Sequence, residues 1–404
     1  MFSREVRIGS LVVGNKHPVR VMGVINLSPE SFYSGSVATN EEELKQLVSQ
    51  LEEEGADIID IGGASTAPAE IYGTIKISPE KELERVNWAL GILDNETKLP
   101  ISVDTTSSIV ARAALDQGAS LVNDVSGLQN DPNMVQVVSE SASPLVLMAR
   151  CDNGCNSLTN SLDSIRRSLQ AAQDGGVDRD KIILDPGIGF GKPTDVDFAL
   201  LRNLRKFTLL GQPLLVGVSR KAFIGALLEQ PSADDRLIGT VAATSIAAAH
   251  GVSMVRAHDV KEARMAIAVG ETLRIRDHYE DGSVALLNTY NERDAEIIIN
   301  QIGTGSIIRR PLSRKAVTLN FLLSDVNTSG ALIIKQEMLA LGGDAAYHHE
   351  TIDFGMKQTD VLVMGTPLQI RRFIRKLAQM KIFGLEDISK RMMRIMDERE
   401  KNLE

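Results

Sequence analysis

This 404-residue chain has only two cysteines, one tryptophan and 4% aromatic residues. Cys151 and Cys155 stand together in CDNGC without a nearby histidine, so they cannot complete a tetrahedral zinc site. They read as reduced thiols of a cytoplasmic protein. No run reaches the roughly 18 uncharged apolar residues that a spanning helix needs, which excludes a membrane partner of that kind. The first residues, MFSREVRIGSLVVG, place charges where a secretory leader is continuously apolar. Positive charge is not in excess: 44 Lys and Arg stand against 53 Asp and Glu, a formal net charge of -9. Non-specific nucleic-acid binding is thereby excluded. There is no internal repeat and no low-complexity segment. What is present is a chain long enough for two domains, with 43% hydrophobic and 24% charged residues, able to bury a core.

From Val19 onward short apolar runs alternate with longer amphipathic stretches. The runs are VRVMGVIN (19–26), ADIIDIG (56–62), PISVD (100–104), SLVND (120–124), PLVLM (144–148), KIILD (181–185), PLLVGVS (213–219) and VSMVRA (252–257). Each has the length and Val/Ile/Leu richness of a buried parallel strand. Helical patterns such as EEELKQLVSQLEEEG and SIVARAALDQG separate them and end in glycines suited to capping. Eight β–α units in about 260 residues predict a (β/α)8 TIM barrel, with a doubly wound open sheet as the alternative. Asn26, Asp60, Asp104, Asn123, Asp124, Asp185, Ser219, Arg220, Lys221, Arg256 and His258 fall at or near seven of the eight strand ends. One such acid is ordinarily a helix cap or a turn residue. Their convergence on one rim points to a binding site. The remainder, 280–404, reads as a second, smaller C-terminal α/β domain. Strands are expected in SVALLNTYN, AVTLNFLLS, DAAYHHE and TDVLVMG, and the last helix is charged. His348 and His349 are adjacent on an expected strand, point to opposite faces and read as surface residues.

The segments VMGVINLSPESFYSGS, DIGGASTAP, ISVDTTSSIVARAAL, VNDVSG, ILDPGIGFGK, VGVSRKAFIG and VRAHDV occur in the order and spacing of the dihydropteroate synthases, and the chain resembles that family over about residues 5–278. The resemblance implies a pterin-binding barrel over 1–279 that condenses 6-hydroxymethyl-7,8-dihydropterin diphosphate with p-aminobenzoate and releases diphosphate. It implies that Asp104, Asn123, Asp185 and Lys221 hold the pterin edge, and that Arg256 and His258 meet the diphosphate. Lys221, Arg256 and Asp104 would carry catalysis, with Thr66 and Met148 among the substrate contacts. Asn26 would be a ligand of Mg2+, a cation that takes few protein oxygens and keeps waters and phosphate oxygens. The partners implied are small-molecule substrates and, as for many such barrels, a homodimer.

The chain also departs from the family. Glu30 stands for its Asp, Ala67 for its Arg and Ala222 for its Ser, while Ala149 and Arg150 replace the His-Met after Met148. These changes leave the pterin edge intact and put the amine acceptor in question. A ribosylated arylamine of the methanopterin kind stays open. So does a non-catalytic or methyltransferase-type pterin-binding module, although no cobalamin-type DxHxxG pattern is present. The C-terminal domain, 280–404, resembles an extension on longer family members, with no role assigned.

Overall fold

The computed structural model describes residues 4–29, 33–65, 77–151, 154–274, 278–281, 284–287, 291–302, 304–353 and 355–403. The chain divides into two compact units, Met1–Ala285 and Leu286–Glu404.

In the first unit an antiparallel hairpin, β1 (Glu5–Ile8) and β2 (Leu11–Gly14), precedes eight parallel strands. These are β3 (Arg20–Asn26), β4 (Ile58–Gly62), β5 (Ile101–Asp104), β6 (Leu121–Asp124), β7 (Leu145–Met148), β8 (Ile182–Asp185), β9 (Leu215–Val216) and β10 (Met254–Ala257). The ladder runs β8-β7-β6-β5-β4-β3-β10-β9. A parallel bridge between Leu184 and Leu214 joins its two ends, so the sheet is a ring and the open-sheet alternative falls. The eight expected runs are the eight observed strands. The seventh is much shorter than PLLVGVS, because its ends leave the ladder.

The hairpin was not foreseen. Its Val6, Ile8 and Val13 pack with Met22, Ile58, Leu121, Val146, Ile183, Leu215 and Met254, one inward residue from each of seven barrel strands. This apolar layer is the floor of the barrel. Outside, helix Glu41–Glu53 shows the local logic of the surrounding ring. Asn40 caps it by accepting from Glu43 N–H at 3.0 Å, three glutamates complement its first turn, and Leu44, Val48 and Leu51 form the buried stripe. Leu51 packs so tightly on β3 that a Cβ at Gly23 would stand 3.0 Å from its methyl carbons. No helix among the described residues is long and apolar enough to cross a membrane.

A two-stranded ribbon, β11 (His278–Asp281) and β12 (Val284–Leu287), runs through the point where the chain divides. The second unit is built on an antiparallel sheet of β13 (Leu319–Asn327), β14 (Asp344–Tyr347) and β15 (Gln358–Gly365), in the order β13-β15-β14. Val361 and Val363 face a core shared with Ile334 and Met338 of helix Thr328–Ala340 and with Ile370 and Phe373 of helix Pro367–Leu377. The latter begins with a capping box of Thr366 and Gln369 and a proline in its first turn. Helix Ser306–Ser313 was not foreseen, since Pro311 lies inside it. His348 lies beyond the end of β14, where its ring accepts from Glu350 N–H, and no cluster of three His, Cys, Asp or Glu side chains among the described residues could hold a metal.

The two cysteines correct the expectation of free thiols. Cys151 and Cys155 form a disulfide, their Cα atoms 5.2 Å apart across the loop after β7. Gln129 Nε2 and Ser164 Oγ both donate to the Arg150 carbonyl, which holds the entry to that loop. Compartment logic alone says nothing of this proximity. Closing so short a loop should contribute about 2 kcal/mol through lost unfolded-state entropy. Urea unfolding of the oxidised chain and of a Cys151→Ser/Cys155→Ser variant should therefore differ by about that amount. Coincident curves would show that the bond has no part in stability.

Candidate active site

Strand alternation builds the site. Counting two residues upward from each floor residue gives the next inward layer. Ile58 leads to Asp60, Leu121 to Asn123, Val146 to Met148, Ile183 to Asp185, Leu215 to Gly217 and Met254 to Arg256. A further step gives Asn26 on β3 and His258 just beyond β10. Ser102 and Asp104 occupy the same face of β5. The neighbour of opposite parity, Asp124, serves locally by accepting from Ser126 N–H at 2.8 Å and Leu128 N–H at 2.7 Å.

Asp60 is the hub of this layer, and its role was missed. It is 0% exposed. Its Oδ1 accepts from Ser102 Oγ at 2.5 Å, while Oδ2 accepts from Arg256 Nε at 2.6 Å and Asn123 Nδ2 at 3.3 Å. Arg256 Nη2 donates in turn to Asp104 Oδ2 at 3.0 Å. Burial works against the guanidinium, yet the two carboxylates hold its pKa above the usual value. A signal was available in the sequence: Asp60 interrupts an otherwise apolar strand two residues before its end.

On the other side of the ring Asp185 is buried and accepts from Gly187 N–H at 2.7 Å. Burial raises its pKa against the opposing field of Lys221. Lys221 donates to the Ile188 carbonyl, and its Nζ stands 4.2 Å above the Phe190 ring. Burial lowers the Lys221 pKa to about 8, with Asp185 and Asp197 resisting. A Cβ at Gly189 would collide with the Lys221 stem at 2.4 Å, so glycine is required there. Lys192 and Asp197, also missed, brace this loop. Lys192 Nζ donates to the carbonyls of Gly187 at 2.5 Å and Ala149 at 3.3 Å, and Asp197 accepts from Gly189 N–H at 2.7 Å.

His258 Nδ1 lies 2.9 Å from Ser219 Oγ. Burial, then Arg256, Arg220 and Lys221, hold its pKa down at about 3. The imidazole is therefore neutral near neutral pH and offers an anion a hydrogen bond rather than a charge. Tyr33 of the first loop meets His258 edge-on at 5.2 Å and lies under the Arg220 guanidinium, 4.4 Å from its ring centre. Arg220 is fixed by Asp259 at 2.7 and 2.9 Å. Asn26 Nδ2 donates to Ser36 Oγ at 2.8 Å, and Asn26 Oδ1 lies over Gly62, 3.9 Å from where a Cβ would stand. Met148 is buried in the wall, and Arg150 is exposed beyond β7. Thr66, with Glu30, Ser31, Phe32 and Ala67, lies outside the described residues.

The model of the pterin binding enzyme family matches residues 22–258. Dihydropteroate synthase of Bacillus subtilis is 39% identical over 254 residues, 62% of this chain and 87% of that protein. The chain belongs to the dihydropteroate synthases. It is thus an enzyme, a transferase. Two solved structures of the family agree. The Xanthomonas albilineans synthase with 4-aminobenzoic acid has a TM-score of 0.61 at 35% identity, covering 67% of this chain and 98% of its own. A Coxiella burnetii synthase in complex with pteroic acid has a TM-score of 0.59 at 33% identity, covering 68% and 100%. Family membership weighs against a non-catalytic or methyltransferase-type module.

Two outcomes follow for pterin binding by this synthase. Asp60→Asn removes one of two carboxylates from a buried guanidinium, which should lower unfolding stability by about 3 kcal/mol. Pterin affinity should fall roughly tenfold in the folded variant as Arg256 and Asn123 lose their common anchor; calorimetry finding no change would confine Asp60 to a structural role. Lys221 is a cation only below its pKa of about 8, so pterin affinity should hold below that pH and fall above it. Lys192 is also lowered to about 8 by burial, so a Lys192→Met control assigns the limb. Burial raises Asp197 to about 6, so a step near the ordinary histidine pKa of about 6.5 should vanish in Asp197→Asn; a step that persists there would show His258 to be charged.

Proposed function

We propose that this chain joins 6-hydroxymethyl-7,8-dihydropterin diphosphate to p-aminobenzoate and releases diphosphate. The observation that carries this reading is the layer of Asp104, Asn123 and Asp185 one step above the barrel floor, with Lys221 beside Asp185. An aminopyrimidinone edge is dense in donors and acceptors, and burying it is favourable only against fixed polar partners. Asp185 would accept from the amino group and a ring N–H, and Lys221 would donate to ring acceptors. Relatives whose structures contain pteroic acid or 4-aminobenzoic acid support both halves of the substrate assignment.

The chemistry is a substitution at the exocyclic methylene. The C–O bond to diphosphate breaks with its electron pair leaving on oxygen; the arylamine nitrogen then forms the C–N bond and gives up a proton. The dihydropterin ring can carry positive charge between these events. No strong nucleophile from the protein is required, and the work is positioning and charge stabilisation. Arg256 has Nε and Nη2 committed to carboxylates, which fixes the plane of the guanidinium and leaves Nη1 for the leaving group. Neutral His258 adds a hydrogen bond. Asn26 fits a Mg2+ role, since its amide nitrogen is spent on Ser36 and its oxygen stands over an unsubstituted glycine. A bound Mg2+ would offset charge on the diphosphate.

Diphosphate release with the pterin diphosphate and a panel of arylamines tests the proposal. We expect turnover with p-aminobenzoate, with a high KM because Ala67 and Ala222 withhold two polar contacts. Ala222→Ser should lower that KM. Asp185→Asn should weaken pterin binding at least ~10-fold through loss of a charged hydrogen-bond partner. Intact pterin binding without diphosphate release from any arylamine would overturn the assignment.

A further inference from the structure

The turn after β9 holds Arg220 at φ 53°, a left-handed backbone that glycine adopts without strain and arginine does not. Its N–H donates to Thr240 Oγ1 at 2.9 Å and its carbonyl accepts from Arg236 Nη1 at 3.0 Å, which locks that conformation. The strain is therefore borne for the side chain. Yet the edge of the guanidinium is spent inside the protein. Nε and Nη2 donate to Asp259, and Nη1 donates to the carbonyls of Ala233 and Asp234 at 2.9 Å each. The side chain is 7% exposed. An arginine bound in this way has little left for an anion. What it offers is a flat cationic face, and the Tyr33 ring lies against it, with 4.4 Å from the guanidinium carbon to the ring centre.

Tyr33 is also held from its own side. Beyond it the first loop returns to β3, where Asn26 pairs with Val37 in a parallel bridge, Asn26 Nδ2 donates to Ser36 Oγ, and the Asn26 carbonyl accepts from Ala38 N–H at 2.9 Å. The ring folds back over Gly35, where a Cβ would stand 2.7 Å from it, so glycine is required there. Seated on Arg220, Tyr33 presents its ring to His258 edge-on, at 5.2 Å and 63°. The Ser219 hydroxyl, one residue before Arg220, meets His258 Nδ1. One strained turn thus sets both contacts of the imidazole. The bond at Nδ1 fixes one corner of the ring, and the aromatic edge fixes its tilt. Orientation matters here because the imidazole is neutral: a hydrogen bond from a neutral donor depends on its direction, whereas a charge acts from any angle.

We infer that Tyr33 is a positioning residue of this synthase, which aims His258 at the departing diphosphate and has the face of Arg220 as its seat. The inference rests on the proposed reaction for the identity of the anion.

The experiment is titration calorimetry on the full-length chain, saturated with 6-hydroxymethyl-7,8-dihydropterin and Mg2+, with inorganic diphosphate as the probe. Tyr33→Ala should raise the diphosphate Kd about 5-fold, the loss of one neutral hydrogen bond, with pterin affinity unchanged. Tyr33→Phe should keep the wild-type value, because the ring makes the contacts. Tyr33→Leu keeps bulk without an aromatic face and should follow the alanine variant. In a His258→Ala background Tyr33→Ala should change Kd less than about 2-fold, since effects that pass through one partner do not add. An undiminished effect in that background, a leucine variant equal to wild type, an equal loss of pterin affinity, or a wild-type chain that does not bind diphosphate overturns the inference. Turnover of the wild-type chain with arylamines is measured separately. Its absence counts against the proposed reaction, whereas the diphosphate Kd values decide the role of Tyr33 whether or not turnover occurs.

Discussion

A carboxylate sealed inside the barrel governs the arrangement around it. Asp60 has no access to water, and an isolated charge in that position would not survive as a charge. Three other strands supply what it needs. Its own strand is β4; Ser102 comes from β5, Asn123 from β6 and Arg256 from β10. Arg256 then requires a second carboxylate, which Asp104 provides. Each of these side chains is held by another member of the set, so none can rotate without leaving a buried polar group unpaired. Such a network is weak evidence for stability. Its consequence is geometric. Donors and acceptors stand at fixed places before any ligand arrives, which is what recognition of a planar heterocycle and stabilisation of developing charge demand.

The frame beneath that network is apolar and needs no specificity of its own. The floor residues are aliphatic or methionine, and the N-terminal hairpin closes them off. Because the strand period is two, a residue placed in the floor determines which residue stands in the polar layer above it. A slip of one residue on β6 would send Asn123 outward and bring Asp124 in.

Much of this was legible in the sequence. The eight apolar runs are strands because β-branched and aliphatic residues bounded by turn residues have few other uses at that length. Asp104, Asn123, Asp185 and Arg256 were visible as polar residues at run ends, and the ring brings them to one layer. The hierarchy within the layer was not visible. Asp60 reads as one more rim acid, and only the crossing of strands reveals that it anchors the others. Lys192 and Asp197 look like loop charges until the GIGFGK turn folds back on β7. His258 reads only as a diphosphate contact, because its sequence neighbours do not show the burial and the three positive groups that keep it neutral. The hairpin was hidden because its strands are four residues each, and helix Ser306–Ser313 because proline inside a helix is a rare event. The disulfide was hidden because proximity across a rim loop leaves no trace in composition.

The same distinction separates the strand residues from the loop positions at which the sequence reading expects departures from the family. Asp104, Asn123, Asp185 and Arg256 lie within strands, and each answers to a buried partner, so a change in one costs several kcal/mol unless another changes with it. Positions 67, 150 and 222 lie beyond the ends of β4, β7 and β9. Arg150 is exposed, and Ala222 opens a helix rather than closing a strand. The inner layer itself is close to neutral and slightly acidic. Asp60, Asp104 and Asp185 face Arg256 and Lys221, while Lys192 with Asp197 and Arg220 with Asp259 balance and His258 is uncharged. On the proposed path, positive charge develops on the pterin fragment as diphosphate departs, and a mildly acidic cradle favours that fragment. The electrostatics of the first step are therefore built into strands that resist substitution. On the same proposal, selection of the amine falls to the loops beyond those strands.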